Sequence, residues 1–399
     1  MENIDAKSST FSQALLWFGA AVSIAELMTG ALIAPLGLEA GLAAILLGHV
    51  IGAAVLIPAG LIGAKSGLSW AESTRISYSK YGSWAFSALN ILQLLGWTAV
   101  MIIGGATAFD GIAGELWGVR NTALWSVGIG VLICVWVFLG LKNLSKVNTV
   151  IIALLFIFTL MLGFSVFSGG RPAGTAEGAI SFGAAVELNV SMALSWLPLI
   201  ADYTRTLKKP VTGTLGSVAG YFVGSLFMFG IGLGAAVYYG TSDVFVIMAA
   251  AGMGLAALAT IVLSTVTTTF LDVYSAGVSA VNLNGKISET WTAAAVCAAG
   301  VAIAIFVPIE RYEDFLYLIS SVFAPLFGVS FADYFLLRKR EMRAQDRPCY
   351  KNLLLWLAGF IAYRMLLPYN TAVGITLPVM AGVAAAGWLL GTLEKKPAA

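Results

Sequence analysis

The sequence predicts an all-α polytopic membrane protein. Twelve transmembrane helices are expected. Three observations predict this. Of 399 residues, 59% are hydrophobic and only 11% charged, whereas a soluble surface needs roughly a quarter to a third of its residues charged. The apolar residues gather in runs of about 20, the length that crosses a hydrocarbon core as a helix. Basic residues fall almost entirely in alternate loops, as a fixed orientation requires.

The spans read, in order, as 13–35, 41–63, 82–108, 121–141, 147–168, 183–203, 211–239, 250–282, 288–308, 314–337, 352–368 and 371–391. The runs are continuously apolar rather than alternating, which favours helices over a barrel. With the N-terminus inside, the inside loops hold eighteen Lys and Arg. The outside loops hold three, Arg120, Arg171 and Arg311, and Arg364 lies within a span. Both termini are therefore expected in the cytoplasm, with the chain in the inner (plasma) membrane. The expected organisation is a cytoplasmic tail over 1–12, a first repeat over 13–170 and a second over 178–340. Two additional helices over 352–391 and a tail over 392–399 complete it. Residues 1–12 have no basic n-region, so no cleaved signal peptide is expected.

Composition also excludes function classes. A net charge of +2 gives no nucleic-acid footprint. Cys134, Cys297 and Cys349 are scattered without CxxC spacing. His49 is the single histidine and reads as buried and hydrogen-bonded. No Walker, GxSxG or HExxH motif occurs. Neither an enzyme nor an organic cofactor is expected. The loop from Gly67 to Gly82 mixes Trp70, Tyr78 and Tyr81 with Arg75 and Lys80. It reads as a structural cap on the cytoplasmic side, with a short interfacial helix as the alternative.

Polarity is costly inside a span, so function is sought there. Glu26, Glu187 and Asp272 lie within apolar runs. Asp202 and Asp333 sit at helix ends near Arg205 and Arg338 and read as ion pairs or caps. Around Glu26, span one carries Gly19, Ser23, Thr29 and Gly30, which predicts a break near Ala21–Ala25; a tight packing face is the alternative. Span six carries Ser191, Ser195, Trp196 and Pro198, and its proline predicts unwinding over Ser195–Pro198. Breaks at matching positions of two five-helix halves point to an inverted repeat with a midplane site. In span three, Gln93 and Trp97 share a face at a spacing of four. An amide beside an aromatic plate suits a flat heteroaromatic ligand, although interhelical packing is equally compatible. In span eight, Ser264, Thr267 and Thr268 could supply oxygens to a small hard cation, or bond back to their own helix. Asp272 follows one turn later.

These segments resemble a known family. LWFGAAVSIAE in span one, QLLGW in span three, SWLPLIADYTR in span six and TTTFLDVYSAG in span eight look like nucleobase:cation symporters, the group of cytosine, hydantoin and allantoin permeases. Within it the chain is most similar to the bacterial branch of hydroxymethylpyrimidine transporters. The resemblance covers residues 10–340 and implies a LeuT-type fold, alternating access and coupling to Na⁺ or H⁺. Carried over by motif, the carbonyls of Ala21, Ile24 and Ser264 and the hydroxyls of Thr267 and Thr268 would hold sodium. Trp97 and Trp196 would be plates above and below the base. Gln93, Ser195 and Asp272 would read its edge, with Glu26 beside them. The acidic Asp272 and Glu26 depart from the cytosine pattern and suit an aminopyrimidine such as hydroxymethylpyrimidine.

The implied activity is cation symport of a pyrimidine by a monomer in contact with lipid and a small heteroaromatic substrate. The alternatives are a proton-coupled purine or allantoin-type permease and an amino-acid permease of the same fold. Glu26 argues against a site for an anionic group. A receptor or structural assembly protein would not need paired broken helices.

Overall fold

The structure, a computed structural model, describes residues 8–168, 178–241, 255–307, 312–344, 346–369 and 371–394. Within them every extended element is a helix. Lys7, Arg171, Arg311, Lys395 and Lys396, which enter the basic-residue count, lie outside the described residues, as do positions 250–254 of the eighth expected span.

The first span is two helices, α1 (Thr10–Ala21) and α2 (Ile24–Leu32), joined through Val22 and Ser23 with a bend of 55°. Ser23 explains the restart. Its backbone is extended and its hydroxyl accepts the Glu26 N–H at 3.3 Å, so it caps α2. A turn at Gly37 leads into α3 (Leu38–Ser66), and a capping box of Ser69 and Glu72 opens the short α4 (Trp70–Ser73). Then follow α5 (Arg75–Trp117), α6 (Thr122–Ser168), α7 (Phe182–Ser195), α8 (Leu197–Thr204) and α9 (Pro210–Tyr239). The chain continues through α10 (Leu255–Leu283), α11 (Glu289–Phe306) and α12 (Tyr312–Phe331), which ends in a π turn over Ala332–Leu336. The last two helices are α13 (Tyr350–Leu366) and α14 (Thr376–Glu394).

Among the described residues, nine helices are long and apolar enough to cross a membrane, or ten with the bent α1–α2 pair counted as one. The remaining two expected spans correspond to α13, which has 17 residues, and to the second part of α6. Two expectations need correction. A loop between 141 and 147 is absent: α6 runs for 47 residues through it. Lys142 and Lys146 mark charge, but the segment holds no Gly or Pro to stop a helix. Span six is not unwound over Ser195–Pro198. It is interrupted only at Trp196, whose backbone stays near helical values, because Pro198 falls in the first turn of α8, where its missing N–H costs little.

The helices pack closely because α9 offers glycines to the broken span. A Cβ at Gly220 would collide with the Ala14 carbonyl of α1, and one at Gly232 with the Leu27 carbonyl of α2. Small residues at these crossings let backbones approach.

One end of the bundle gathers the segments that the basic-residue count assigns to a single side. Ser8 pairs through its main chain with Thr206 and Lys208. Asp202 accepts the Trp70 N–H at 2.8 Å and the Ser275 hydroxyl at 2.5 Å. Lys80 meets Asp346, and Lys339 meets Asp333 at 2.7 Å. Asp333 therefore pairs with Lys339 and Asn352 rather than with Arg338, whose φ of 57° takes the chain through a left-handed turn. Within the segment from Gly67 to Gly82 the short helix α4 packs into the bundle as a cap. Trp70 is buried and stacks on Phe327, and the Tyr78 hydroxyl donates to the Leu326 carbonyl.

The intramembrane Glu187 is a structural anchor. Its carboxylate accepts Tyr363 Oη at 2.5 Å, Thr376 Oγ1 at 2.6 Å and the N–H groups of Ile375 and Thr376 at 2.6 and 3.0 Å. It thus ties α7 to both C-terminal helices and caps the start of α14. Glu187→Ala should lower unfolding stability by about 3 kcal/mol or more, since several buried donors lose their acceptor at once. An unchanged thermal midpoint in detergent would contradict this role.

Candidate functional site

The break in the first span leaves carbonyls at the end of α1 without helical partners, and α10 answers them. Ser264 donates its hydroxyl to the Val22 carbonyl at 2.6 Å, and Thr268 to the Ala20 carbonyl at 3.3 Å. Of the five expected cation ligands, Thr268 reaches the break with its hydroxyl as expected, whereas Ser264 reaches it with its hydroxyl and not with its carbonyl, which accepts from Thr267. Ala21 and Ile24 form its two edges, as the last residue of α1 and the first of α2. The Ala21 carbonyl accepts the Ser23 N–H at 2.9 Å. Thr267 turns back into α10, donating to Leu263 O at 2.8 Å with Ser264 O at 3.2 Å. The donor set at this point is neutral oxygen throughout.

A second meeting point joins α5 to the α7–α8 interruption. Pro198 lacks an N–H, and the Leu199 N–H turns to the Trp196 carbonyl at 3.1 Å. The Ser195 carbonyl is thereby freed, and Gln93 Nε2 donates to it at 3.0 Å. The Ser195 hydroxyl donates to Met192 O within its own helix. Trp97 lies one turn beyond Gln93 and packs edge-on against Tyr312 and Phe315. Trp196 packs edge-on against Trp17, with ring centroids 5.5 Å apart, and against Tyr221. Four buried polar atoms here have no partner: Gln93 Oε1 and the indole nitrogens of Trp17, Trp97 and Trp196.

Of the two acidic candidates, Glu26 lies beside Tyr221 and Tyr312, whose rings pack on Trp196 and Trp97. Glu26 is 1% exposed and its Oε2 accepts Ser225 Oγ of α9 at 2.6 Å. Ser225 Oγ also lies 2.8 Å from His49 Nε2, and His49 Nδ1 donates to Ile45 O at 2.8 Å. His49 is thus the buried, hydrogen-bonded histidine that the sequence suggests, and Glu26 is linked to scaffold helices. Asp272 is buried one turn beyond Thr268. No hydrogen bond among the described residues joins it to Gln93, Trp97, Ser195 or Trp196.

Residues 2–391 match the family model described as permease for cytosine/purines, uracil, thiamine, allantoin. The chain belongs to this family. The permease is a multi-pass membrane transporter rather than an enzyme, and the nucleobase:cation symporter resemblance of its motifs holds across nearly the whole length. It is 27% identical over 346 residues to the cytosine permease of Escherichia coli (strain K12), covering 83% of this chain and 74% of that one. Its fold is similar to that of Mhp1, a nucleobase-cation-symport-1 family transporter, in a closed conformation with bromovinylhydantoin bound. The TM-score is 0.82 at 18% identity, over 98% of this chain and 94% of that one. A Na⁺-coupled sialic acid symporter in a substrate-bound outward-open state gives a TM-score of 0.69 at 14% identity, over 96% and 89% of the two chains. These likenesses establish the LeuT-type helical transporter fold.

Several residues around the two meeting points of this permease are not apparent from its sequence. Trp17 is fully buried and sits edge-on to Trp196, Tyr203 and Tyr221. Its place one turn before the break was a usable signal. Asn90, three residues before Gln93 and on the same face, accepts from Gln93 Nε2 at 3.2 Å. Ser225, which joins Glu26 to His49, had no local signal. Ser225→Ala should cost about 1–3 kcal/mol, because two buried polar groups lose a shared partner, and Ser225→Thr should recover part of it. Equal melting temperatures for the wild type and Ser225→Ala would contradict this linkage.

Proposed function

We propose that this permease imports a pyrimidine-type substrate, hydroxymethylpyrimidine or a cytosine-like base, by symport with Na⁺. The observation that carries the substrate class is the Gln93 contact with the freed Ser195 carbonyl, with Trp97 one turn beyond Gln93 and Trp196 next to Ser195 in the chain. A pyrimidine has two apolar faces and a polar rim. Indole rings suit the faces, and the Gln93 amide oxygen suits the rim. Ser195 can still accept a hydrogen bond through its hydroxyl oxygen. Asp272 and Glu26 complete the set of candidate rim groups, each favouring an amino or hydroxymethyl donor.

For the coupling ion, the support is the oxygen cluster where α10 meets the first break. Carbonyls of an interrupted helix and neighbouring hydroxyls are the donors that small hard cations use in transporters. Ala21, Ile24, Ser264, Thr267 and Thr268 remain the proposed ligands, with the Ala20 and Val22 carbonyls beside them. An ion bound there bridges α1, α2 and α10. It can drive transport only by binding one conformational state more tightly than the other. The permease works as a monomer in this reading, with both termini in the cytoplasm of the inner membrane.

Uptake of labelled pyrimidines, purines, allantoin and amino acids into proteoliposomes, with imposed Na⁺ or pH gradients, tests the proposal. Pyrimidine uptake driven by Na⁺ is expected. Uptake driven by a pH step alone would transfer coupling to protons, and a preference for purines, allantoin or amino acids would replace the substrate class. Trp97→Ala should weaken binding of all pyrimidines by about 1–3 kcal/mol, the usual worth of a base stacked on an aromatic ring. Thr268→Ala should weaken binding in Na⁺ more than in K⁺; an equal loss in both would remove Thr268 from the ion site.

A further inference from the structure

Gln93 is clamped on both amide hydrogens. A primary amide has two N–H donors and one acceptor oxygen. Gln93 Nε2 lies 3.0 Å from the Ser195 carbonyl and 3.2 Å from Asn90 Oδ1. A main-chain carbonyl only accepts, so the group facing it must be the amide nitrogen. The orientation of Gln93 therefore follows from chemistry. The orientation of Asn90 follows from Gln93: it must turn its oxygen to the Gln93 nitrogen, which leaves its own nitrogen on Ser279 Oγ of α10 at 2.9 Å. Asn90 and Ser279 are both fully buried, so water cannot substitute for either. With both hydrogens engaged, Gln93 has one remaining capacity, its buried and unpartnered Oε1.

We propose that Asn90, held by Ser279, is a positioning residue that locks the Gln93 amide as an acceptor, so that the site selects pyrimidines presenting an exocyclic amine to it. This rests on the reading that Gln93 lines the substrate site. A substrate with a carbonyl at that edge places two acceptors face to face and is rejected, because the unmet groups are buried. Without Asn90, one Gln93 hydrogen is released and the amide can serve either kind of edge. The lock joins α5, α7 and α10, so selectivity depends on a residue that need not touch the substrate.

Two pairs of ligands test this on purified full-length protein in Na⁺ at fixed pH: cytosine with uracil, and 4-amino-5-hydroxymethyl-2-methylpyrimidine with its 4-oxo analogue. The pair containing the tightest binder is scored. The wild type should favour the amino member at least tenfold. Asn90→Leu should reduce that ratio to threefold or less, mainly by improving the oxo member. Asn90→Asp should preserve it, since a carboxylate still accepts from Gln93. If Asn90→Leu does not yield folded protein, Ser279→Ala decides, with a ratio reduced by about threefold expected. An equal loss for both members in Asn90→Leu, an unchanged ratio, or a wild type favouring the oxo member overturns the proposal. A wild type that binds neither pair but does bind other solutes overturns the pyrimidine reading, and this inference falls with it.

Discussion

Inside a bilayer a main-chain carbonyl without a partner is expensive, because no water is present to satisfy it. The rest of the molecule is arranged around the place where its first span breaks and exposes such carbonyls. Ser23 makes the break stable on one side by capping α2. On the other side Ser264 and Thr268 reach from α10 to the Val22 and Ala20 carbonyls. The same rule governs the milder interruption at Trp196, where the Ser195 carbonyl is released and Gln93 takes it. Each interruption is thus paired with a polar side chain from a different helix. Helix α10 binds the first and, through Ser279 and Asn90, supports the second. A movement of α10 against α1 would be felt at both.

The acids follow the same logic of satisfaction and separate into different roles. Glu187 has its oxygens filled by donors from α13 and α14 and the turn between them. Asp202 and Asp333 stitch one end of the bundle. Glu26 shares Ser225 with His49. Asp272 is buried with no hydrogen-bonding partner among the described residues, which leaves its carboxylate available to a substrate or to a different conformation. Glu26 keeps one buried oxygen, Oε1, without a partner.

Much of the fold is legible in the sequence because the bilayer imposes a length on every helix and a side on every basic loop. The first break is legible too, since serine and glycine beside an acid have no good reason to interrupt an apolar helix except a polar site. Other features are not local. The partners of Glu187 lie 176 to 189 residues away in the chain, so nothing near position 187 announces an anchor. Pro198 suggests a wider unwinding than occurs because a proline in a first helical turn is tolerated, and only the backbone shows where that turn begins. The continuity of α6 is hidden for the opposite reason: two lysines resemble a loop, but without glycine or proline the helix has no cause to stop. At the candidate site, Gln93, Trp97, Ser195 and Trp196 are readable from spacing and type. Asn90, Trp17 and Ser225 are not singled out because Asn, Trp and Ser in a span are as often packing residues.

The first break is expected to act as a cation-responsive element rather than a static kink. Hydrogen–deuterium exchange of the peptide covering Trp17 to Gly30, compared in Na⁺ and in K⁺ at the same pH and ionic strength, tests that directly. If an ion joins the oxygens of α1, α2 and α10, exchange across Val22–Ile24 slows markedly in Na⁺ and the peptide from Ser264 to Thr268 slows with it. Identical exchange in the two salts, in both peptides, would contradict the account.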